Sequence, residues 1–166
     1  MTTDPAAPGG AERAAAALTA SGIEHVITRH GRVGSLAEAA AARGVEPSAI
    51  LKTLVVRLAD DDHRFVLVPG DREISWPKLR AHLGVNRVSM PDAATAQAVT
   101  GYERGAITPF GSTHAWPVVA DASVLGRRVS IGAGAHGVAA TAAGVDVVRV
   151  LAADVADVTD PIAAPA

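Results

Sequence analysis

Lys52 is the residue whose type and setting most invite chemistry. Only two of the fifteen basic residues are lysines, Lys52 and Lys78, and the other thirteen are arginines. Lys52 sits in Ile50-Leu51-Lys52-Thr53-Leu54-Val55-Val56, where every neighbour is apolar or β-branched. Its stem therefore packs against the core while its ammonium turns to a pocket or rim. A charge held there costs free energy unless it is paired, and partial desolvation is how an enzyme tunes a lysine. The competing reading is a lysine that snorkels from an edge strand to water. Lys78 shares a helix with Arg80 and reads as part of a solvated face.

Two glycine-rich segments are the next candidates. Thr100-Gly101-Tyr102-Glu103-Arg104-Gly105-Ala106-Ile107-Thr108-Pro109-Phe110-Gly111 holds three glycines, a proline and two of the five aromatics. Glycine permits positive φ and close backbone approach, and proline fixes the chain, so the loop can present N–H and C=O groups to a small ligand. Ile131-Gly132-Ala133-Gly134-Ala135-His136-Gly137 follows a predicted strand. It looks superficially like a dinucleotide loop, but strand-like residues come after it, and no helix is there to receive a phosphate. Ordinary turn chemistry is the plain alternative for both segments.

Other chemistries are poorly served. The six histidines, at 25, 30, 63, 82, 114 and 136, include no pair at the i, i+4 spacing of a helical zinc site. Without cysteine there is no disulfide, thiolate metal site or Cys nucleophile, and a reducing cytosol is the natural home. No Gly-x-Ser-x-Gly elbow occurs, and Ser112 carries no accompanying signature. His136, between glycines, is the histidine best placed to face a pocket, with a structural hydrogen-bonding role as the competing reading. No metal or cofactor is expected.

The elements that must position these residues read as interspersed helices and strands. A helix is predicted over 11–20, stopped by Gly22, followed by a strand over 24–28. Ser35 caps a second helix, with Glu38 three residues on as in a capping box and Gly44 at its end. Residues 50–58 and 64–69 form a hairpin about the acidic turn 60–62. Ser75 and Pro77 open a helix that Gly84 closes. A short strand at 87–90 leads through Pro91-Asp92 into a helix ending near Val99. Strands are predicted at 117–121, 128–131, 138–141 and 145–150, with a last helical turn over 152–158. Hairpins with short connections outweigh regular βαβ crossovers, so the fold class is α+β, a mixed, partly closed, barrel-like sheet flanked by helices.

At 166 residues the chain fits one domain, expected over 11–157, with loose tails at 1–10 and 158–166. Hydrophobic residues make up 49% and charged residues 19%, which rules out global disorder; aromatics are only 3%, so Ala, Val, Leu and Ile build the core. The formal net charge of −2 argues against a strongly basic nucleic-acid module, so any RNA partner is gripped locally. No apolar run of about 18 residues and no signal-peptide pattern occurs, so a soluble, cytoplasmic protein with no membrane partner is expected.

Together, Leu51-Lys52-Thr53-Leu54-Val55-Val56, the Thr100-Gly101-Tyr102…Gly105…Pro109-Phe110-Gly111 loop and Val129-Ser130-Ile131-Gly132-Ala133-Gly134 strongly resemble the YbaK/EbsC family. These are relatives of the editing domain inserted in bacterial prolyl-tRNA synthetases. The resemblance covers about residues 20–155, in the family's order. It implies a mixed α/β barrel-like fold that hydrolyses the ester of mischarged aminoacyl-tRNA in trans, on Cys, Ala or Ser and notably on tRNA(Pro). The family lysine maps onto Lys52, its Gly-x-x-x-Pro loop onto Gly105 and Pro109, and its glycine turn onto Gly132 and Gly134.

The candidate catalytic set is thus Lys52, Gly105 and Pro109. The candidate substrate-binding set is Thr53, Thr100, Gly101, Phe110, Gly111, Gly132, Gly134 and His136. The expected partners are the aminoacyl-tRNA acceptor end and prolyl-tRNA synthetase.

Two positions depart from the pattern. Cys-specific members tend to carry Arg-Gly-Leu-Asp after the glycine turn, where this chain has His136-Gly137-Val138-Ala139; an early family tyrosine has no counterpart, since Tyr102 is the only one. A histidine near this position is closer to the alanine-editing relatives. The amino acid stays open, as do two other readings: a non-catalytic protein that binds tRNA or a synthetase, and a hydrolase of some other small ester.

Overall fold

The computed structural model describes residues 9–162. Of the tail expected at 1–10, residues 1–8 lie outside the described residues, and Gly10 already opens the first helix. The elements are α1 (Gly10–Ser21), β1 (Val26–Arg29), α2 (Leu36–Arg43), β2 (Ile50–Ala59), β3 (Asp62–Pro69), β4 (Arg72–Ile74), α3 (Trp76–Leu83), α4 (Ala93–Thr100), β5 (Val118–Asp121), β6 (Arg128–Gly132), β7 (Val138–Ala143), α5 (Gly144–Val150), β8 (Asp154–Ala156) and β9 (Thr159–Pro161). Seven strands make one mixed sheet in the order β1-β7-β6-β2-β3-β5-β8, and β4 pairs with β9 in a separate two-stranded ribbon. The fold is α+β, as the interspersed patterning requires.

Local chemistry sets the helix ends. Ser35 accepts a hydrogen bond from the Glu38 N–H at 3.1 Å, and the Glu38 carboxylate reaches back to the Gly34 N–H at 2.6 Å. Ser75 caps α3 by accepting from Lys78 N–H, and Asp92 caps α4 by accepting from Thr95 N–H. Each side chain satisfies a donor that the first helical turn leaves free.

The β2–β3 hairpin is the centre of the sheet, and β3 is buried on both faces. Phe65 and Leu67 enter one apolar layer with Leu51, Val55, Tyr102 and Ile131; Val66 and Val68 enter the other with Val56, Leu79 and Val158. A near-continuous apolar run is what a strand covered on both faces must have. Each fully buried Val, Leu or Phe contributes about 1.5–3 kcal/mol relative to exposure.

Three expectations are corrected. Residues 87–90 do not form a strand; Ser89 makes one isolated bridge to Arg57, and Pro91, two residues on, cannot donate to a ladder. Val145–Val150 is helical, because its apolar residues meet the core at helical spacing, with Val147 buried, Val145 exposed and Asp146 paired to Arg149. The β-branched composition favours a strand, and packing on β7 overrides it.

Residues 152–158 hold no helical turn. Asp154–Ala156 instead adds parallel to β5, and Thr159–Pro161 pairs with β4. The C-terminal tail expected at 158–166 is therefore ordered through 162, with Val158 and Thr159 fully buried; 163–166 lie outside the described residues. Asp121 holds it there. Its buried carboxylate accepts from Val158 N–H at 3.2 Å and Thr159 Oγ1 at 2.8 Å, and also from the Ser123 N–H and hydroxyl. Burial pushes its pKa up, but these hydrogen bonds more than offset that and leave it lowered.

His63 is a second buried polar group, with neither ring nitrogen hydrogen-bonded and the ring 5.0 Å from that of Trp116. Burial, helped by Arg57, pushes its pKa below the ordinary 6.5. The unfolded chain then binds the proton more tightly, so stability holds above the unfolded pKa and falls as pH drops through it. The melting temperature of the parent should fall more steeply between about pH 7 and 5 than that of His63→Phe. Parallel curves would show that the ring titrates freely.

Candidate active site

The β6–β2 ladder is short. It pairs Ile50 with Ser130 and Leu51 with Ile131 and then stops, while β2 runs on to Ala59. Farther along the same edge, Arg57 exchanges backbone hydrogen bonds with Ser89, at 2.7 and 3.1 Å. Backbone groups alternate sides along a strand, so Thr53 and Val55 turn their N–H and C=O to the same side as Arg57, beyond the end of the ladder. A cleft of about 560 Å³ opens there. It is lined by residues 50–55 of β2, Gly132 at the end of β6, Arg104, Gly105 and Ile107 of the glycine loop, Met90, Pro91 and Ala96, and Arg43 at the end of α2.

Four of the candidate residues come together here: Lys52, Thr53, Gly105 and Gly132. Lys52 is not on an outer strand, so the edge-strand reading does not describe it. Its Nζ donates to the Arg72 carbonyl oxygen at 2.7 Å. Burial lowers its pKa, and the carboxylates of Glu73 and Asp71 partly offset that. Arg72 is in turn fixed by β9 and the buried carboxylate, with Nε donating to Thr159 Oγ1 at 2.6 Å and lying 3.8 Å from Asp121. Thr53 lines the cleft with a buried Oγ1 that has no hydrogen-bond partner. Arg43, Lys52 and Arg104 bring three cations to the lining, and no described lining residue is a carboxylate.

The other seven candidates lie outside this lining and shape the loops. Thr100 Oγ1 donates to the Ala96 carbonyl and accepts from Tyr102 N–H. Phe110 is core, and its carbonyl accepts from the Tyr102 hydroxyl at 2.7 Å. Gly101 and Gly111 present carbonyls to the Arg13 guanidinium, at 2.8 and 3.3 Å, and Arg13 also stacks 4.7 Å from the Tyr102 ring centroid. Pro109 stands in a bend between buried Thr108 and Phe110. Gly134, at φ 89°, lies where a Cβ would collide with the Gly10 carbonyl, so the second glycine segment is docked on the start of α1. His136 is exposed, with Nε2 3.3 Å from Glu103. It covers Gly105, whose φ is 91° and on which a Cβ would approach the imidazole within 3.1 Å.

Sequence reasoning missed Arg43, Arg104, Met90 and Pro91. Their one signal is that Arg43 closes α2, which suits a basic residue at a helix C-terminus and says nothing of a cleft. Among the described residues no group of three or more His, Asp or Glu converges to hold a metal ion. No described helix is long and apolar enough to cross a membrane. Chemically, the cleft combines an anion-attracting field, a partly desolvated ammonium, free main-chain donors and acceptors, and an apolar side at Met90, Ala96 and Ile107.

A cleft of this kind on a mixed sheet suits an anionic ligand that carries a small apolar group. A family model described as the aminoacyl-tRNA editing domain matches residues 30–150, and the chain belongs to that family. Its curated relatives include the proline–tRNA ligase of Geobacter sp. (strain M21), 35% identical over 106 residues, which are 64% of this chain and 18% of the relative. The proline–tRNA ligase of Desulfovibrio desulfuricans is 41% identical over 92 residues, 55% of this chain and 16% of the relative. The chain thus spans less than a fifth of these ligases. Among solved structures, hypothetical protein APE2540 superposes with a TM-score of 0.80 at 28% identity, over 90% of this chain and all of its own. A structure described as a candidate trans-editing enzyme for prolyl-tRNA synthetase superposes with a TM-score of 0.82 at 23% identity, over 96% of this chain and 99% of its own, and shares the fold.

The two lysines offer a direct check on the electrostatics, because isotope-labelled lysine side chains give two signals. Lys52 should titrate below the ordinary 10.5, and Lys78, which pairs with Asp160 and Asp157, above it. Coincident titrations in an NMR pH series would show that Lys52 is freely hydrated.

Proposed function

We propose that the protein is a trans-acting deacylase of mischarged aminoacyl-tRNA carrying a small amino acid of the Cys, Ala or Ser type, with tRNA(Pro) the carrier its ligase relatives favour. The observation that carries this reading is the meeting of Lys52, Thr53, Gly105 and Gly132 at the unpaired edge of β2. An aminoacyl ester is already activated, so the site need only orient a water, stabilise charge on the carbonyl oxygen and exclude larger side chains. The water oxygen bonds to the carbonyl carbon, the carbonyl oxygen takes up negative charge, and the ribose oxygen leaves with a proton.

Main-chain N–H groups of the open edge and the Thr53 hydroxyl are placed to donate to the developing oxyanion or to hold the water. Lys52, tethered by the Arg72 carbonyl, supplies a fixed cation for the oxyanion or the terminal nucleotide's phosphate. Its remaining two N–H donors are available to a ligand. The vicinal ribose hydroxyl can help position the water. Met90, Ala96 and Ile107 offer the apolar wall for a short side chain. The acceptor end of the tRNA is the binding partner in this reading, and prolyl-tRNA synthetase is the enzyme whose errors it would clear.

Deacylation of a panel of mischarged tRNAs tests this. The parent should release at least one small amino acid, and chelator should not slow it. Lys52→Ala should lose about 10²-fold or more in rate, the scale of one charge-stabilising donor in a preorganised site. It should melt within a few degrees of the parent, because removing a desolvated cation relieves a cost. Lys52→Arg should rescue poorly, since a planar guanidinium does not fit the place of a compact ammonium. A parent that binds tRNA but never turns it over would support the non-catalytic reading. A Lys52→Ala protein that melts far lower yet keeps full turnover would make the lysine structural.

A further inference from the structure

A second, larger cleft of about 810 Å³ lies on the other side of Arg43, between the end of α2, the β1–β7 edge of the sheet and the turn before β6. Its wall is apolar at Val26, Ala40, Val45 and Ala49, and Arg43, Arg127 and Arg128 line it. Glu46 is the one carboxylate among the described lining residues. Among the described residues, no carboxylate lies within ion-pair distance of any of these three arginines. Arg43 makes long contacts of 3.5 Å to His30 Nε2 and Ser130 Oγ, and Arg127 donates to the Ser48 carbonyl at 3.0 Å. Burial pushes the Arg43 pKa down, as expected where lost hydration has no carboxylate to replace it.

An independent sign of a ligand comes from β7. Thr141 lines the same cleft, is only 8% exposed, and its Oγ1 has no hydrogen-bond partner. A buried hydroxyl left unpaired carries its full desolvation penalty, so such groups are normally satisfied by something. Guanidinium forks and a hydroxyl donor over an apolar wall suit a phosphate with a ribose or base beside it. That combination takes up single-stranded RNA, which is gripped along its backbone while its bases rest on apolar surface. Arg43 lines both clefts, so a chain whose 3′ end enters the first continues directly into the second.

We infer that this second cleft binds the phosphodiester backbone of the single-stranded RNA segment that leads to the ester, with Arg43, Arg127 and Arg128 on its phosphates and the Thr141 hydroxyl donating to a phosphate oxygen. The inference rests on the proposed deacylase reading and extends it to how the substrate is held.

Binding of a short RNA ending in CCA would be measured by fluorescence anisotropy over a salt series, without any turnover. The Arg127→Gln, Arg128→Gln double variant should bind about tenfold or more weakly, with a log K against log salt slope shallower by about 1.4, or about 0.7 for each phosphate no longer neutralised. Thr141→Val preserves shape and removes the orphan hydroxyl, so it should melt at or above the parent temperature yet bind the RNA about threefold or more weakly. A methylphosphonate RNA of the same sequence should not distinguish parent from variants. Parental affinity and slope in the double variant, or unchanged affinity in Thr141→Val, would overturn the inference. So would inorganic phosphate that displaces the RNA at equal concentration, which would make this a site for free anions.

A small aminoacyl-adenosine ester, which has no phosphodiester, separates the two readings. The double variant should cleave it at the parental rate. A parent that never cleaves it but binds RNA through these residues would count against the deacylase and for the cleft.

Discussion

The early end of the β6–β2 ladder is the constraint on which the site depends. In a fully paired sheet the backbone groups of Thr53 and Val55 would be consumed by β6, and no ligand could reach them. Here pairing stops at Leu51↔Ile131, and the loop carrying Gly105 and Ile107 and the segment at Met90-Pro91 stand off from the strand instead of zipping onto it. Unpaired backbone at the heart of a domain is expensive unless water or a ligand satisfies it. The gap is kept open by groups that have no choice. Pro91 cannot donate, Ser89 is already committed to Arg57, and the glycine loop is tied down by the Tyr102 hydroxyl and the Arg13 guanidinium.

A chain of polar contacts carries the C-terminal segment into the same site. Asp121 at the end of β5 holds Thr159, Thr159 accepts from Arg72, and the Arg72 carbonyl receives the Lys52 ammonium. Three residues widely separated in sequence thus fix one Nζ. The arrangement explains why Val158 and Thr159 are buried so close to the end of the described residues, and why a carboxylate persists in an apolar layer. Asp121 is stabilised in its charged form by donors that also lock β9 in place.

Charge is distributed in the same local way. A protein with a formal net charge of −2 has no general attraction for nucleic acid, yet the charged residues that line the two clefts are, Glu46 apart, all cations. Acidic residues are spent elsewhere: Asp157 and Asp160 on Lys78, Asp60 and Asp62 on the hairpin arginines, Asp146 on Arg149. Local excess with overall balance favours a short, well-defined contact over a broad electrostatic grip.

How much of this was legible in the sequence follows from the range of the interactions involved. Ser35, Ser75, Asp92 and the glycines that end their helices act over three or four residues, so α2, α3 and α4 could be read directly. The hairpin was equally plain, because the apolar run of β3 and the acidic turn are contiguous. Lys52 stood out for the same reason, as a cation among apolar neighbours, and three ordered motifs gave the family. What failed was everything decided at long range. The valines of 145–150 are helical because of what they pack on, and 154–156 and 159–161 are strands because β5, with Asp121, and β4, with Arg72, wait for them across the fold. Arg43 became part of two clefts, and most of the glycine-loop residues became scaffold for Gly105, because a site between β2, β6 and α2 exists only once the ladder between them has ended. Residue type and neighbour spacing determined which groups were available for chemistry; the register of one pair of strands decided which of them meet.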